Sequence, residues 1–201
     1  MPRTILTDEA AFDTLREFLA PIGSLAENDW LLFKSGARVK HLSKKEHFLA
    51  SGEVCKYLGF IIKGYVRHYY VVEGKDVTND FNFEGMVTGA YHSFITRTPA
   101  RFNVIAMEDT VLIVFTLEHW LQLRERSSQW QNLGHTLLEK IFHRKQLREE
   151  SFLLDSAEQR YHNMLEQNPS LPQRIPLQYL ASYLGMTSET LSRIRARKSK
   201  S

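Results

Sequence analysis

The chain has 201 residues, 43% of them hydrophobic and 24% charged, with a formal net charge of +3. That is enough apolar material for one large domain or two small ones, and no apolar run approaches the roughly 18 residues a membrane span requires. A single cysteine, Cys55, excludes an internal disulfide and a structural zinc site built on thiolates. The first residues carry acids early and lack a charged region followed by an apolar core. They do not read as a secretory leader, and the expected compartment is the cytoplasm.

Charge is unevenly placed. From Pro172 onward there are six cationic side chains (Arg174, Arg193, Arg195, Arg197, Lys198 and Lys200) against Glu189. That stretch is +5 in a chain of net +3, which leaves −2 for the rest. A cationic tail on a slightly acidic body suits a polyanionic partner.

In chain order, residues 8–20 place Phe12, Leu15, Phe18 and Leu19 on one helical face, and Pro21 and Gly23 stop the helix. A second short helix is expected over 25–34. From Gly36 to about Phe115 the pattern becomes β: ARVKHLS, YLGFIIKG, YVRHYYVV, DVTNDFNF, RFNVIAME and TVLIVF are short runs rich in β-branched and aromatic residues, punctuated by glycines. Such spacing predicts an antiparallel barrel or sandwich. Residues 73–76, EGKD, read as a hairpin turn in which Gly74 takes positive φ. Helical sequence resumes at Thr116, a candidate cap. Ser127 or Ser128 is expected to cap a longer helix to about Glu150. On that helix Leu133, Leu137 and Ile141 form one row and Leu138 and Phe142 the next, a face wide enough for its own domain and a second copy of itself. Leu153, Leu154, Ala157, Tyr161, Met164 and Leu165 suit a further amphipathic helix ended by Asn168, Pro169 and Pro172.

The stretch from Ile175 to Arg197 is the most informative. Pro176 suits the first turn of a helix, with Leu177, Leu180, Ala181 and Leu184 on one face. Gly185 can take the left-handed conformation after it. Thr187 is a good N-cap for a second helix, with Glu189 in its first turn. Leu191 and Ile194 point back to the core. This is helix-turn-helix logic. The outward face of the second helix, with Ser188, Glu189, Ser192, Arg193 and Arg197, suits a major groove, where arginine can pair with guanine and glutamate can accept from cytosine. Thr187, Ser188, Glu189, Thr190, Ser192, Arg193, Arg195, Arg197 and Lys198 are the candidate DNA-contacting residues.

Taken together these segments resemble the cyclic-AMP receptor protein/FNR (Crp/Fnr) family of bacterial regulators over nearly the whole chain. FIIKGYVRHYY at 60–70 and GAYHSFITRTPARFNVIAMEDTVL at 89–112 resemble the β-roll and its phosphate-binding cassette; LASYLGMTSETLSRIR at 180–195 resembles the helix-turn-helix most closely. The resemblance implies an α+β fold in three parts. These are an antiparallel β-roll of the cyclic-nucleotide-binding type over 1–126, a dimerisation helix over 127–152 and a helix-turn-helix domain over 153–201. Only a few residues follow the second helix, so no full wing is expected. Phosphate contacts then fall to Arg195, Arg197, Lys198 and Lys200, with weaker affinity and a steep salt dependence.

The resemblance also implies that Ser188, Glu189 and Arg193 occupy base-reading positions, although many relatives carry arginine where Ser188 stands. In the cassette, relatives that bind a cyclic nucleotide use a glycine–glutamate pair and an arginine. Here Gly89 is followed by Ala90, and the arginine position falls on Ala100, with Arg101 turned to the other strand face. Gly89, Ala90, Tyr91, His92, Ala100 and Arg101 are the candidate pocket residues, and cyclic AMP is not the expected ligand. The single cysteine excludes the iron–sulfur cluster of the oxygen-sensing branch; the histidines show no metal-ligand spacing, and no metal or other cofactor is expected. No nucleophile–base pair, P-loop or dinucleotide fingerprint is present, so no enzyme is expected. The expected partners are double-stranded DNA and a second copy through 127–150, with RNA polymerase and a small-molecule effector as further candidates and no membrane. The competing function is a small-ligand sensor that acts through protein contacts and keeps a vestigial DNA module.

Overall fold

The computed structural model describes residues 6–198. Among the described residues eight strands form the β part: β1 (Ala37–Leu42), β2 (His47–Leu49), β3 (Tyr57–Lys63), β4 (Val66–Val72), β5 (Lys75–Asn82), β6 (Val87–Thr88), β7 (Asn103–Ala106) and β8 (Thr110–Thr116). They lie in two four-stranded sheets of order β1-β8-β3-β6 and β2-β7-β4-β5. β8 pairs antiparallel with β1, from Ala37–Phe115 to Leu42–Thr110, and with β3 on its other side, where Leu58 faces Phe115. In the second sheet β4 pairs antiparallel with β7, from Val66–Ala106 to Tyr69–Asn103. The antiparallel roll expected from the sequence is therefore present, with β2 and β6 added. At three and two residues those strands are too short to show alternation.

Helices α1 (Asp8–Leu19), α2 (Glu27–Gly36), α3 (Tyr91–Thr96) and α4 (Leu117–Arg126) accompany the roll, and α5 (Ser128–Leu154) follows. The caps are local. The Thr116 hydroxyl accepts from the His119 N–H at 3.2 Å, and the Ser127 hydroxyl from the Trp130 N–H at 3.2 Å. Each satisfies a donor that the first turn of a helix leaves unpaired.

The chain divides into two compact units. The first holds the described residues up to Tyr70 together with Asp80–Leu138; the second holds Val71–Asn79 and the described residues from Glu139 onward. The division falls inside α5, between Leu138 and Glu139; of the boundaries expected from the sequence, 126/127 precedes α5 and 152/153 falls within its last turn.

Phe33 is the hub of the first unit. Its ring lies 4.8 Å from Trp130, 5.6 Å from Trp30, 6.0 Å from Phe115, 6.2 Å from Phe60 and 6.3 Å from Phe12, centroid to centroid. One side chain thus joins α1, α2, both central strands of a sheet and the first turn of α5. Its own backbone carbonyl lies 3.0 Å from Nε2 of the buried His119, and the Trp130 indole N–H donates to Asp29 O at 3.1 Å. Gly134 completes the seam: a Cβ there would stand 2.5 Å from the Trp120 ring.

In the second unit, β4 and β5 meet in a two-residue turn with Glu73 at φ 51° and Gly74 at φ 74°, the double positive φ of a type I′ hairpin. Four residues past the turn, within β5, the buried Thr78 N–H donates to the Ser182 hydroxyl at 2.9 Å. The helices of the unit are the second half of α5, then α6 (Ala157–Gln167), α7 (Leu171–Arg174), α8 (Leu177–Tyr183) and α9 (Ser188–Lys198). Their core is Tyr161, Met164, Ile175, Leu180, Ala181, Leu184, Leu191 and Ile194. One expectation is corrected. Leu153 and Leu154 close α5 instead of opening the next helix, and they are 78% and 81% exposed. The cause is a capping box: the Ser156 hydroxyl accepts from Gln159 N at 3.3 Å while the Gln159 side chain accepts from Ser156 N at 2.8 Å, which fixes the start of α6 after these leucines.

Replacing Phe33 with alanine removes the ring shared by five aromatic neighbours and is expected to cost about 3–5 kcal/mol of stability. The urea-denaturation midpoint of the first unit measures it, and a loss below about 1 kcal/mol would contradict the hub assignment.

Candidate nucleic-acid interface and sensor cassette

α8 follows Pro176, whose carbonyl accepts from Tyr179 N at 3.0 Å and Leu180 N at 3.1 Å. Pro176 stands at the N-cap, one position before the first helical residue. Leu180 and Ala181 are buried, and α9 packs against α8 through Leu191 and Ile194, also buried. Gly185 has φ 67°. Its N–H donates to Ser182 O at 3.1 Å, and Met186 N donates to Ala181 O at 3.0 Å. Those two bonds form the Schellman pattern that closes a helix on a left-handed residue. The Thr187 hydroxyl then accepts from Thr190 N at 3.2 Å and caps α9.

On α9, Glu189, Ser192, Arg193 and Arg197 are exposed, as is Thr187 before it, while Ser188, Thr190 and Arg195 are half-buried. The Glu189 carboxyl is held below the usual glutamate range, first by its own backbone N–H and then by the Thr187 hydroxyl, with Arg193 adding a smaller effect. Any stability this ionised group contributes is present above the usual range and lost as pH falls through its lowered value. Arg193 Nη2 donates to the Thr190 hydroxyl at 3.2 Å. Arg197 lies 3.9 Å from the Glu158 carboxylate. Arg195 is half-buried. It donates to Pro172 O at 3.3 Å and lies over the Tyr161 ring at 5.9 Å. Lys200 and the side chain of Lys198 lie outside the described residues.

In the first unit the cassette runs from β6 into α3. Gly89 has φ 130°, and a Cβ there would stand 2.7 Å from Leu58. Ala90 is buried, while Tyr91 and His92 are exposed. The Ala90 N–H is taken by the Cys55 sulfur at 3.3 Å, and the Cys55 thiol donates to Tyr57 O at 3.1 Å. Burial pushes the Cys55 thiol pKa up, so it stays protonated and able to donate. Ser93 is likewise occupied, accepting from Cys55 N at 2.9 Å and donating to Thr98 O at 2.5 Å. Ala100 is buried, with its N–H on Glu53 O and its carbonyl accepting from Gly52 N, both at 2.8 Å. Arg101 is exposed. Arg97, at φ 59°, reaches the Glu118 carboxylate at 3.4 Å. His68 was not singled out from the sequence. It is buried, its Nε2 is 2.9 Å from the Thr88 hydroxyl, and its ring stacks on Phe102 at 5.4 Å. An alternating strand with one histidine among aromatics was the only available signal. Among the described residues no group of three or more His, Cys, Asp or Glu side chains could hold a metal ion, and no helix is long and apolar enough to cross a membrane.

The second unit contains a cavity of about 350 Å³, bordered by Arg148, Phe152, Asp155, Arg160, Tyr183 and Leu184 among others. None of the six cassette residues lines it.

Residues 39–127 match the family model described as "Cyclic nucleotide-binding domain". No curated protein matches the sequence. Among solved structures, a CooA mutant from Carboxydothermus hydrogenoformans aligns with a TM-score of 0.72 at 18% identity, over 92% of this chain and 84% of that one. CLP of Xanthomonas campestris, described as a c-di-GMP responsive global regulator, aligns at 0.69 and 14% identity, over 87% and 92%. The catabolite activator protein of Thermus thermophilus aligns at 0.54 and 22% identity, over 88% and 85%. At such identities the likeness is one of fold. Residues 39–127 thus have the fold of the cyclic nucleotide-binding domain, and the chain shares the overall fold of the solved structures it aligns with.

Proposed function

We propose that this chain is a homodimeric transcription regulator in which α9 reads duplex DNA from the major groove. The observation that carries the proposal is the exposed face of α9, where Glu189, Ser192, Arg193 and Arg197 stand outward on a helix whose opposite side, Leu191 and Ile194, is fully engaged. A guanidinium there can pair bidentately with guanine, and an ionised glutamate can accept from cytosine. Arg195, bonded to Pro172 O, contributes to holding the helix; Arg193, on the Thr190 hydroxyl, and Arg197, 3.9 Å from Glu158, exchange those weak exposed contacts for phosphates or bases when DNA is bound.

The self-association surface is α5. Leu138, Phe142 and Leu153 are 38%, 70% and 78% exposed. Phe142 follows Leu138 by about one helical turn and precedes Leu153 by about three, so the three share a face. Two such helices packed side by side would cover it and set two copies of α9 on successive half-sites of a pseudo-palindrome. RNA polymerase is the natural further partner of a regulator so placed.

The effector of the roll is not cyclic AMP bound in the family manner. Ala90 stands where relatives carry a carboxylate for the ribose. Buried Ala100 stands where they carry a guanidinium for the phosphate. The Ala90 N–H is already used by Cys55, and Arg97 is engaged with Glu118. Without charge-assisted bonds an anionic ligand loses its strongest contacts.

Three outcomes are expected. Replacing Arg193 with alanine should weaken binding to an operator, isolated by selection from a random pool, by about tenfold to a hundredfold, with much less effect on a scrambled duplex. Equal affinity for both duplexes in the unaltered protein would overturn the proposal, and unchanged regulation in cells by the variant would favour a sensor acting through protein contacts. Phe142→Arg should shift sedimentation from dimer to monomer at micromolar concentration, and an unshifted dimer would remove α5 from the interface. Isothermal calorimetry with cyclic AMP should show no stoichiometric binding.

A further inference from the structure

A helix leaves its last four carbonyls without partners in the helix itself, and those of α8 lie at the turn that aims α9. Two are satisfied by the turn: Ala181 O accepts from Met186 N and Ser182 O from Gly185 N. The other two are satisfied from outside the α8–α9 pair. Arg148 of α5 donates from Nη2 to Tyr183 O at 2.8 Å, and Arg160 of α6 donates from Nε to Leu184 O at 2.8 Å. Arg160 also donates from Nη1 to Asp155 O at 2.7 Å, at the break between α5 and α6. Both guanidiniums flank one ring. Phe152 lies 4.6 Å from the Arg148 guanidinium and 4.9 Å from that of Arg160, and Arg148 also lies 4.0 Å over Tyr183. Phe152 in turn abuts the turn glycine, since a Cβ on Gly185 would stand 2.5 Å from Phe152 Cε1. All of these residues belong to the second unit.

We infer, building on α9 as the DNA-reading helix, that Arg148, Phe152 and Arg160 are positioning residues for sequence recognition. The clamp fixes where the turn stands relative to the end of α5 and the start of α6, and so fixes the direction in which Glu189 and Arg193 project. Charge and shape are both needed. A cation at the C-terminus of α8 complements the helix dipole, but one ammonium cannot donate to two carbonyls on different elements while lying flat on a phenyl ring. A planar guanidinium can. The bonds are charge-assisted and partly buried, the setting in which such bonds are strongest. Specificity therefore depends on residues outside α9, and a shift of the α5 end has a direct mechanical route to the turn.

The test uses the full chain with Arg160→Lys and Arg148→Lys, which retain the charge, and Phe152→Leu as a variant that retains both arginines. Affinities for the selected operator and for a scrambled duplex of equal length are measured across a salt series, alongside amide hydrogen exchange at Gly185, Met186 and the first turn of α9. The expected result for both lysine variants is a loss of about tenfold in the operator-to-scrambled ratio with the salt slope unchanged, because the number of phosphate contacts is the same. Exchange at Gly185 and Met186 should become faster while the rest of the second unit keeps its protection. Two results would overturn the inference: an operator ratio within twofold of the unaltered protein with unchanged exchange at the turn, or a parallel fall in both affinities with loss of protection throughout the unit, the mark of a merely structural role. If the unaltered protein preferred no duplex, the DNA-reading proposal would fail by itself, and the exchange measurement would still decide whether the clamp holds the turn.

Discussion

The C-terminus of α8 imposes the constraint on which the second unit depends. Four carbonyls end there within a few residues of a chain reversal, and buried backbone oxygens must find donors. Gly185 and Met186 supply two, Arg148 and Arg160 the others. Because the two arginines come from helices earlier in the chain, the closing of one short helix becomes a tertiary event. The turn between α8 and α9 is tied to α5 and α6 by the bonds from Arg148 and Arg160. The junction of α5 and α6 is itself fixed by the Ser156–Gln159 capping box. Local capping chemistry and long-range bonding thus agree on a single geometry for the helix that carries Glu189 and Arg193.

The first unit is organised by a different force. Its centre is apolar and aromatic, with Phe33 as the shared neighbour of helices and strands. Its polar groups are satisfied internally to an unusual degree around the cassette. Cys55, Ser93 and Ala100 spend their donors and acceptors on one another or on nearby backbone.

α5 joins these two economies. Its first turns belong to the aromatic core through Trp130 and Leu133, its middle exposes Leu138 and Phe142, and its last turns supply Arg148 and Phe152 to the clamp. A helix with three such roles explains why its sequence keeps no simple amphipathic stripe. Each stretch answers to a different neighbour.

The sequence by itself determined the order of the longer elements, the turn at Glu73–Gly74, the caps at Thr116 and Thr187, a cap at one of Ser127 and Ser128, and the left-handed Gly185. These are set by the chemistry of a few adjacent residues, and local rules reach them. It did not show β2, β6, α3 or α7, which are too short for any period to emerge, nor the end of α5, because the capping box at Ser156 outweighs the apolar continuity of Leu153 and Leu154. Only the tertiary structure decided that Cys55 closes the cassette, that Arg195 turns inward to Pro172, and that Arg148 and Arg160 serve a helix more than twenty residues further along the chain. A charged side chain's partner is fixed by distance in space, and nothing in the spacing of residues along the chain encodes that distance.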